Sequence, residues 1–466
     1  MSAPRYLMLL VGLVSCSLAL AQNVTLPAAE RIVLDNGTVL LLNQKSDVPM
    51  IGLQAVLKGG AVVDPDGKSG LSSLFAELIQ KGAGERDAAE FAEAIDSVGG
   101  NLSASGGLES LTISGDFLAR DAALMVELLA DMLIRPALDK NELSKLRERS
   151  INSILAAKDS GPFDLIPIYG GAFLFAGHPY GTPVSGSETS LATITHRDVT
   201  KYFDEQLGGD RLIIAVSGDF DITGMRDMLS AAFADWRAAR AELPDVPVVE
   251  PQAGRRVLLI DKPGASQTYF WIANVGVARD YAERADLDIA NTVFGGRFTS
   301  MLNTALRVES GLTYGARSRL KRPSRPGSVA ITSYTQTDTS IEAIDMALGV
   351  LGQLRDTGIA PEMIDSARNY VLGQFPTRLE TATQLAAQFA TLEVYGLDRS
   401  YIDDYATGLN AVSAESIVGV INAVYPSQDD LVFVLLGDAD KIRDAIMKYG
   451  PVTEMSITEP HFQAGL

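Results

Sequence analysis

The chain has 466 residues, 47% hydrophobic and 21% charged, enough for two or three domains with proper cores and too apolar for a disordered polymer. Its formal charge of −19 repels phosphate backbones and argues against nucleic acid as a partner. No block of like charge stands out, so the acidity reads as a solvated surface rather than a binding tail.

The first residues, MSAPRYLMLLVGLVSCSLALAQ, have the parts of an export signal. Arg5 is positive, Tyr6 to Leu18 are uncharged and mostly apolar, and Ala19-Leu20-Ala21 offers a small-residue cleavage site. The run is short for a membrane span of about 20 residues, and no later stretch qualifies as transmembrane. Residues 1–21 are therefore predicted to be a signal peptide, with export to the periplasm. The one cysteine, Cys16, lies inside it, so the cleaved chain would have no thiol chemistry. Leu13-Val14-Ser15-Cys16 also resembles a lipoprotein box, which leaves lipid anchoring at Cys16 as a second reading.

Beyond this segment the same pattern occurs twice. DRLIIAVSGDFD at 210–221 and DLVFVLLGDAD at 430–440 each read as a buried strand closed by a turn, with an amphipathic helix before and after. Arg31-Ile-Val-Leu-Asp and Arg256-Val-Leu-Leu-Ile-Asp are read as the matching unit starts. Period-two strands at 39–42, 51–57 and 110–117 alternate with helices predicted at 87–98, 119–134 and 139–158, and in the second copy at 283–294, 340–356 and 361–375. The proline-rich stretch AELPDVPVVEPQAGRR at 241–256 reads as a linker. The expected organisation is α+β: two homologous domains, 28–237 and 255–450, joined by 238–254 and followed by a tail at 451–466. Each would be a mixed, mostly antiparallel sheet with helices packed on one face.

Between Gly70 and Gly82 lies GLSSLFAELIQKG. Leu71, Leu74, Phe75, Leu78 and Ile79 form one apolar helical stripe, and Gly82 is placed to end the helix. Ser73, Ala76, Glu77 and Gln80 line the adjacent face, where residues three and four apart are neighbours. With Leu57-Lys58-Gly59-Gly60-Ala61 and Asp64 ahead of it, this frame resembles the pitrilysin/insulinase family of zinc peptidases, and most of all its short two-domain bacterial and mitochondrial-processing-type members. In that family the helix carries H-x-x-E-H, two zinc ligands and a general base. The resemblance places the first His at Ser73, the Glu at Ala76 and the second His at Glu77. It places the third ligand, a Glu of a later helix, at Ser153 or Asn152. All four positions are replaced. The three histidines, His178, His196 and His461, are too far apart in sequence to substitute. His178 lies in GHPYGTPVSG, similar to a structural H-P-Y-G loop of the family. His196 follows a capping Thr195, and His461 falls in a tail expected to fray. Glu77 reads as a solvated surface acid.

Residues 294–317, FGGRFTSMLNTALRVESGLTYGAR, read as a turn, a helix from Phe298 to Glu309, a break at Gly311 and a strand through Tyr314. Taken alone, Arg307 near a helix end and Tyr314 in a strand are ordinary. The run L-R-x-x-x-G-L-x-Y, however, resembles the family's Arg/Tyr pair, which faces the zinc from the opposite half of the clamshell, binds substrate carbonyls and stabilises the oxyanion. Gly100, Asn101, Leu102, Ser103 and Ala104 resemble the edge strand to which the family's substrates add. An ordinary hairpin start explains them equally well. The resemblance thus implies a noncatalytic subunit of an exported heterodimeric zinc peptidase. Such a chain would bind no cofactor itself, and zinc would belong to a homologous partner subunit. Arg307 and Tyr314 would act there in trans on peptide substrates. The alternative is a peptide-binding or scaffolding homologue with no catalytic role.

Overall fold

The computed structural model describes residues 25–251 and 253–465. Residues 1–21, predicted above to be a signal peptide, and with them Cys16, lie outside the described residues. The first domain has strands β1 (Glu30–Val33), β2 (Val39–Gln44), β3 (Met50–Lys58), β4 (Asn101–Gly106), β5 (Ser110–Leu118) and β6 (Leu212–Gly218). Its helices are α1 (Leu71–Leu78), α2 (Ala88–Asp96), α3 (Ala122–Ile134), α4 (Lys140–Ser160), α5 (Ile166–Leu174), α6 (Glu188–Thr193), α7 (His196–Gln206) and α8 (Ile222–Phe233). The second domain has β7 (Arg256–Asp261), β8 (Gln267–Val275), β9 (Arg317–Lys321), β10 (Ser328–Gln336), β11 (Val432–Gly437) and β12 (Val452–Ser456). Among its helices are α9 (Arg284–Asn291), α10 (Met301–Asn303), α11 (Ser340–Thr357), α12 (Pro361–Gln374) and α13 (Ala382–Tyr395).

The two sheets run β1-β2-β6-β3-β5-β4 and β12-β7-β11-β8-β10-β9. Each is mixed: β2 lies parallel to β6 and β7 parallel to β11, while the strands beyond pair antiparallel. The duplication is therefore real, but its starting points need correction. By its parallel pairing β7 takes the place of β2, so Arg256-Val-Leu-Leu-Ile-Asp matches 39–44. Arg31 lies in β1, an added antiparallel strand on the edge. At the same edge of the second sheet stands β12, parallel to β7.

Each domain's own helices cover one face of its sheet. Ile51, Leu53, Ala55 and Leu57 of β3 face α1 and its neighbours in one core. The opposite face is buried too, by a helix from the other domain. α13 lies over β3 and β6, so close that a Cβ on Gly52 would stand 2.2 Å from the Thr383 amide nitrogen. In return α5 lies on β8 and β11, where Gly170 packs on the Trp271 indole. Central strands shielded on both faces need apolar residues at every position. That is why β6 (LIIAVSG) and β11 (VFVLLG) are buried throughout.

The tail does not fray. After β12 the chain returns to the first domain, where the Lys158 ammonium donates to the Glu459 carbonyl at 2.5 Å and the Thr189 amide donates to the Pro460 carbonyl at 3.0 Å. Phe462 is buried edge-on against Tyr169, with ring centres 4.9 Å apart. The described residues of 238–254 contain no helix or strand.

Candidate functional site

Helix α1 is anchored at its N-terminus. Gly70 adopts φ 90°, and the Asp64 carboxylate accepts the Gly70 and Ser72 amides, each at 2.9 Å, in place of a capping side chain on the helix itself. Burial raises the Asp64 carboxyl to about 7, against the pull of those hydrogen bonds. The stripe Leu71, Leu74, Phe75, Leu78 and Ile79 is fully buried.

The face expected to carry a metal is engaged otherwise. Ser73 Oγ donates to the Val184 carbonyl at 2.7 Å, and its backbone touches Gly106 of β4 so closely that a Cβ on that glycine would lie 2.8 Å from the Ser73 Cα. Ala76 is buried and offers no donor atom. Glu77 is not a free surface acid: it forms an ion pair with Arg149 of α4. Ser153 Oγ donates to the Arg149 carbonyl one turn back at 2.9 Å. Gln80, in the turn just past the end of α1, ties the helix to the edge strand by donating to the Ala76 and Ala104 carbonyls, both at 2.9 Å. A hydroxyl, a methyl and a paired carboxylate do not make a zinc donor set. Among the described residues no three or more His, Cys, Asp or Glu side chains gather as a metal site would need.

The histidines sit apart. His178 Nδ1 accepts the Tyr180 amide at 3.0 Å, leaving Nε2 to donate to the Pro247 carbonyl at 3.0 Å. His196 contacts the Leu138 carbonyl at 2.8 Å, and His461 pairs with Glu459 at 3.4 Å. The H-P-Y-G loop joins the domains. Tyr180 donates to Glu109 at 2.5 Å and accepts the Arg325 amide at 3.0 Å, and the Ser324 hydroxyl also bonds Glu109. Glu109 lies at the tip of the β4–β5 hairpin and Ser324 at the tip of β9–β10, so equivalent hairpins of the two copies meet there.

Gly100 leads into β4, the outer strand of the first sheet, which pairs only with β5. Leu102 and Ala104 face the core, while Asn101 and Ser103 face outward. At Gly100 a Cβ would collide with the Phe117 ring at 2.6 Å.

The second-domain segment departs from the expected helix and strand. α10 is one turn long. It opens into a wider turn over Thr304–Glu309, with the Ser310 amide reaching the Ala305 carbonyl five residues back at 3.2 Å. Tyr314 is in a loop, not a strand. Gly311 has φ 68°, the Thr335 hydroxyl holds the Leu312 carbonyl at 2.7 Å, and the Ser333 hydroxyl holds the Gly315 carbonyl at 3.0 Å. Ladder pairing with β10 begins only at Arg317. This fixed loop brings Arg307 and Tyr314 together. The guanidinium carbon lies 4.4 Å from the Tyr314 ring centre and 4.8 Å from that of Phe298. Tyr314 is 72% and Phe298 61% exposed. Among the described residues neither the Tyr314 hydroxyl nor the Arg307 guanidinium has a hydrogen-bond or carboxylate partner. The pair is a planar cation with free donors beside a free hydroxyl, fixed by stacking rather than by anions.

Sheet order, helix placement and the frame around α1 define a two-domain peptidase-like fold whose metal helix lacks ligands. The chain belongs to the M16 peptidase family. The family model described as "Insulinase (Peptidase family M16)" matches residues 38–167, and that described as "Peptidase M16 inactive domain" matches 193–371. It is 22% identical to a Bacillus subtilis protein named uncharacterized zinc protease YmxG, over 87% of this chain and 98% of that one. It is 23% identical to a Helicobacter pylori protein named non-peptidase homolog YmxG, over 84% and 90%. Its fold is similar to the crystal structure of a peptidase M16 inactive domain from Pseudomonas fluorescens, with a TM-score of 0.81 and 20% identity over 88% of this chain and 97% of that one.

Proposed function

We propose that the chain is the noncatalytic subunit of an exported heterodimeric zinc metallopeptidase, and that Arg307 and Tyr314 bind and polarise peptide at a zinc site carried by a homologous partner. The observation that carries this reading is the contrast in availability. The three ligand positions and the base position are engaged in packing, an ion pair and internal hydrogen bonds, whereas Arg307, half-buried, and Tyr314, exposed, stack on each other with their donors free. A preorganised cation and hydroxyl cost no rearrangement when negative charge develops on a substrate carbonyl oxygen. The name given to the Helicobacter pylori relative agrees with a chain that cleaves nothing by itself.

The test is reconstitution. The chain is purified alone and together with an M16 homologue that retains H-x-x-E-H, then assayed for zinc content and peptide cleavage. The expected result is no stoichiometric zinc and no cleavage alone, with cleavage by the pair exceeding that of the homologue. Cleavage by the homologue that is indifferent to this chain would leave the scaffolding reading in its place.

A further inference from the structure

Two rings contact Arg307, and only one of them belongs to the Arg/Tyr pair. The Phe298 ring centre lies 4.8 Å from the guanidinium carbon, against 4.4 Å for Tyr314. A single exposed apolar side chain is ordinary on a protein surface. Phe298 differs because its backbone is tied down beside Arg307. It sits in the turn Arg297–Ser300, where the Ser300 amide donates to the Arg297 carbonyl at 3.2 Å. Asn303 Nδ2 donates to the Phe298 carbonyl at 2.7 Å, and Asn303 Oδ1 accepts the Ala316 amide at 3.3 Å. Asn303 is 4% exposed. One buried amide therefore joins the turn that carries Phe298 to the loop that carries Tyr314.

Holding an arginine by rings has a chemical consequence. A carboxylate that fixed Arg307 would occupy its N–H donors and offset its charge. A ring does neither, because its negative face attracts the cation while the in-plane donors stay open. The other arginines stacked on rings among the described residues are Arg237, Arg256, Arg279, Arg284 and Arg297, and each also donates to an oxygen of the fold. Arg284 is the closest parallel: it too contacts two rings, those of Tyr401 and Tyr405, yet it donates to the Tyr401 carbonyl. Arg307 keeps the two rings without that anchor, so the rings carry its placement.

We propose that Phe298 is a positioning residue, whose ring holds the Arg307 guanidinium in place and leaves its N–H donors to a substrate carbonyl oxygen. The inference rests on the reading that Arg307 polarises peptide at a partner's zinc site.

The test combines the reconstituted pair with a double-mutant cycle. F298A and F298L should each lower kcat about fivefold, the rate equivalent of one exposed cation–π contact. KM and the melting temperature of this chain should not change. Leucine keeps apolar bulk without a π face, whereas F298Y keeps the face and should retain the wild-type kcat. Because Phe298 acts through Arg307, adding F298A to R307A should cost nothing further. In this chain alone, the ring-current shift of the Arg307 Nε–H proton, read by NMR on arginine-labelled protein, should shrink in F298L and persist in F298Y. A wild-type kcat in F298L beside a loss in R307A would overturn the inference and leave the role of Arg307 standing. A wild-type kcat in R307A would remove that role and the inference with it. A further loss from F298A in the R307A background, or an unchanged ring-current shift in F298L, would also overturn the inference.

Discussion

On α1 every polar side chain at a former ligand position has a partner inside the fold, as does the third-ligand position on α4. Ser73 bonds Val184, Glu77 pairs with Arg149, and Ser153 bonds its own helix. Between Phe298 and Tyr314 the reverse holds: the guanidinium and the phenol are stacked on each other with their hydrogen-bonding atoms free. On the proposed reading, a surface relieved of chemistry is drawn into stability, while one kept for a ligand retains unsatisfied donors and a fixed loop beneath them. The comparison gives each region a distinct response to substitution: variants of α1 should change stability and leave activity alone, and variants of Arg307 should do the opposite.

The largest effect is expected at Arg307. In the reconstituted pair, Arg307→Ala should lower kcat by roughly 10²–10³, the usual loss of one oxyanion-stabilising donor, with the melting temperature of this chain unchanged. Tyr314→Phe should lower kcat less and leave stacking intact. A wild-type kcat in the Arg307→Ala complex would remove the catalytic half of the comparison.

Next in size is Gln80. It joins α1 to β4 through two carbonyls, so Gln80→Ala should cost roughly 1–3 kcal/mol in denaturant unfolding, at about 0.5–1.5 kcal/mol per hydrogen bond. Peptide cleavage by the pair, measured well below the unfolding transition, should be unchanged.

How far these regions can be read from sequence follows from how local their causes are. The stripe of α1 and the β4 edge depend on neighbours within a few residues and are legible, whereas the helix ends at Leu78 with Ile79 as its cap, a turn before the glycine expected to close it. Also legible in principle is α13: Thr381 and Gln384 form a capping box and Gly396 closes the helix at φ 62°, a helix absent from those predicted above. Its position on the first domain's sheet depends on the Gly52–Thr383 approach across the molecule, which no periodicity encodes. The loop at 311–316 reads as strand because Tyr314 suits a strand. What decides is hydrogen bonding from Ser333 and Thr335, some twenty residues on. Glu77 reads as solvated because its partner, Arg149, lies on α4 rather than on its own helix. Family resemblance singles out Arg307 and Tyr314, while their stacking and their freedom from partners are properties of the folded loop.

Asp64 gives a prediction in pH. Its folded carboxyl titrates near 7 rather than in the usual carboxylate range. The unfolded chain therefore releases this proton first as pH rises. The associated stability is complete below about pH 4 and is lost through about pH 7. Asp64→Asn should flatten that part of the stability–pH curve, measured by urea unfolding at about pH 5 and about pH 8, on either side of the folded titration. An unchanged difference between the two would assign the titration to another group.

The smallest effect is expected at Glu77, and it tests the comparison at its most exposed point. The carboxylate occupies a former ligand position, so a residual metal role would make Glu77→Gln costly to activity. The structure instead gives it one cation, with the Arg149 side chain 61% and the Glu77 side chain 37% exposed. An ion pair this open to solvent contributes about 0.2–1 kcal/mol and is weakened by salt. Glu77→Gln should therefore lower stability by less than about 1 kcal/mol, with the deficit shrinking in about 1 M NaCl, and should leave cleavage by the reconstituted pair unchanged. Arg149→Gln should have an equal effect, and the double variant should cost no more than either single one, because removing either partner already removes the pair. A loss of cleavage in Glu77→Gln without the same loss in Arg149→Gln would show that α1 still contributes chemistry.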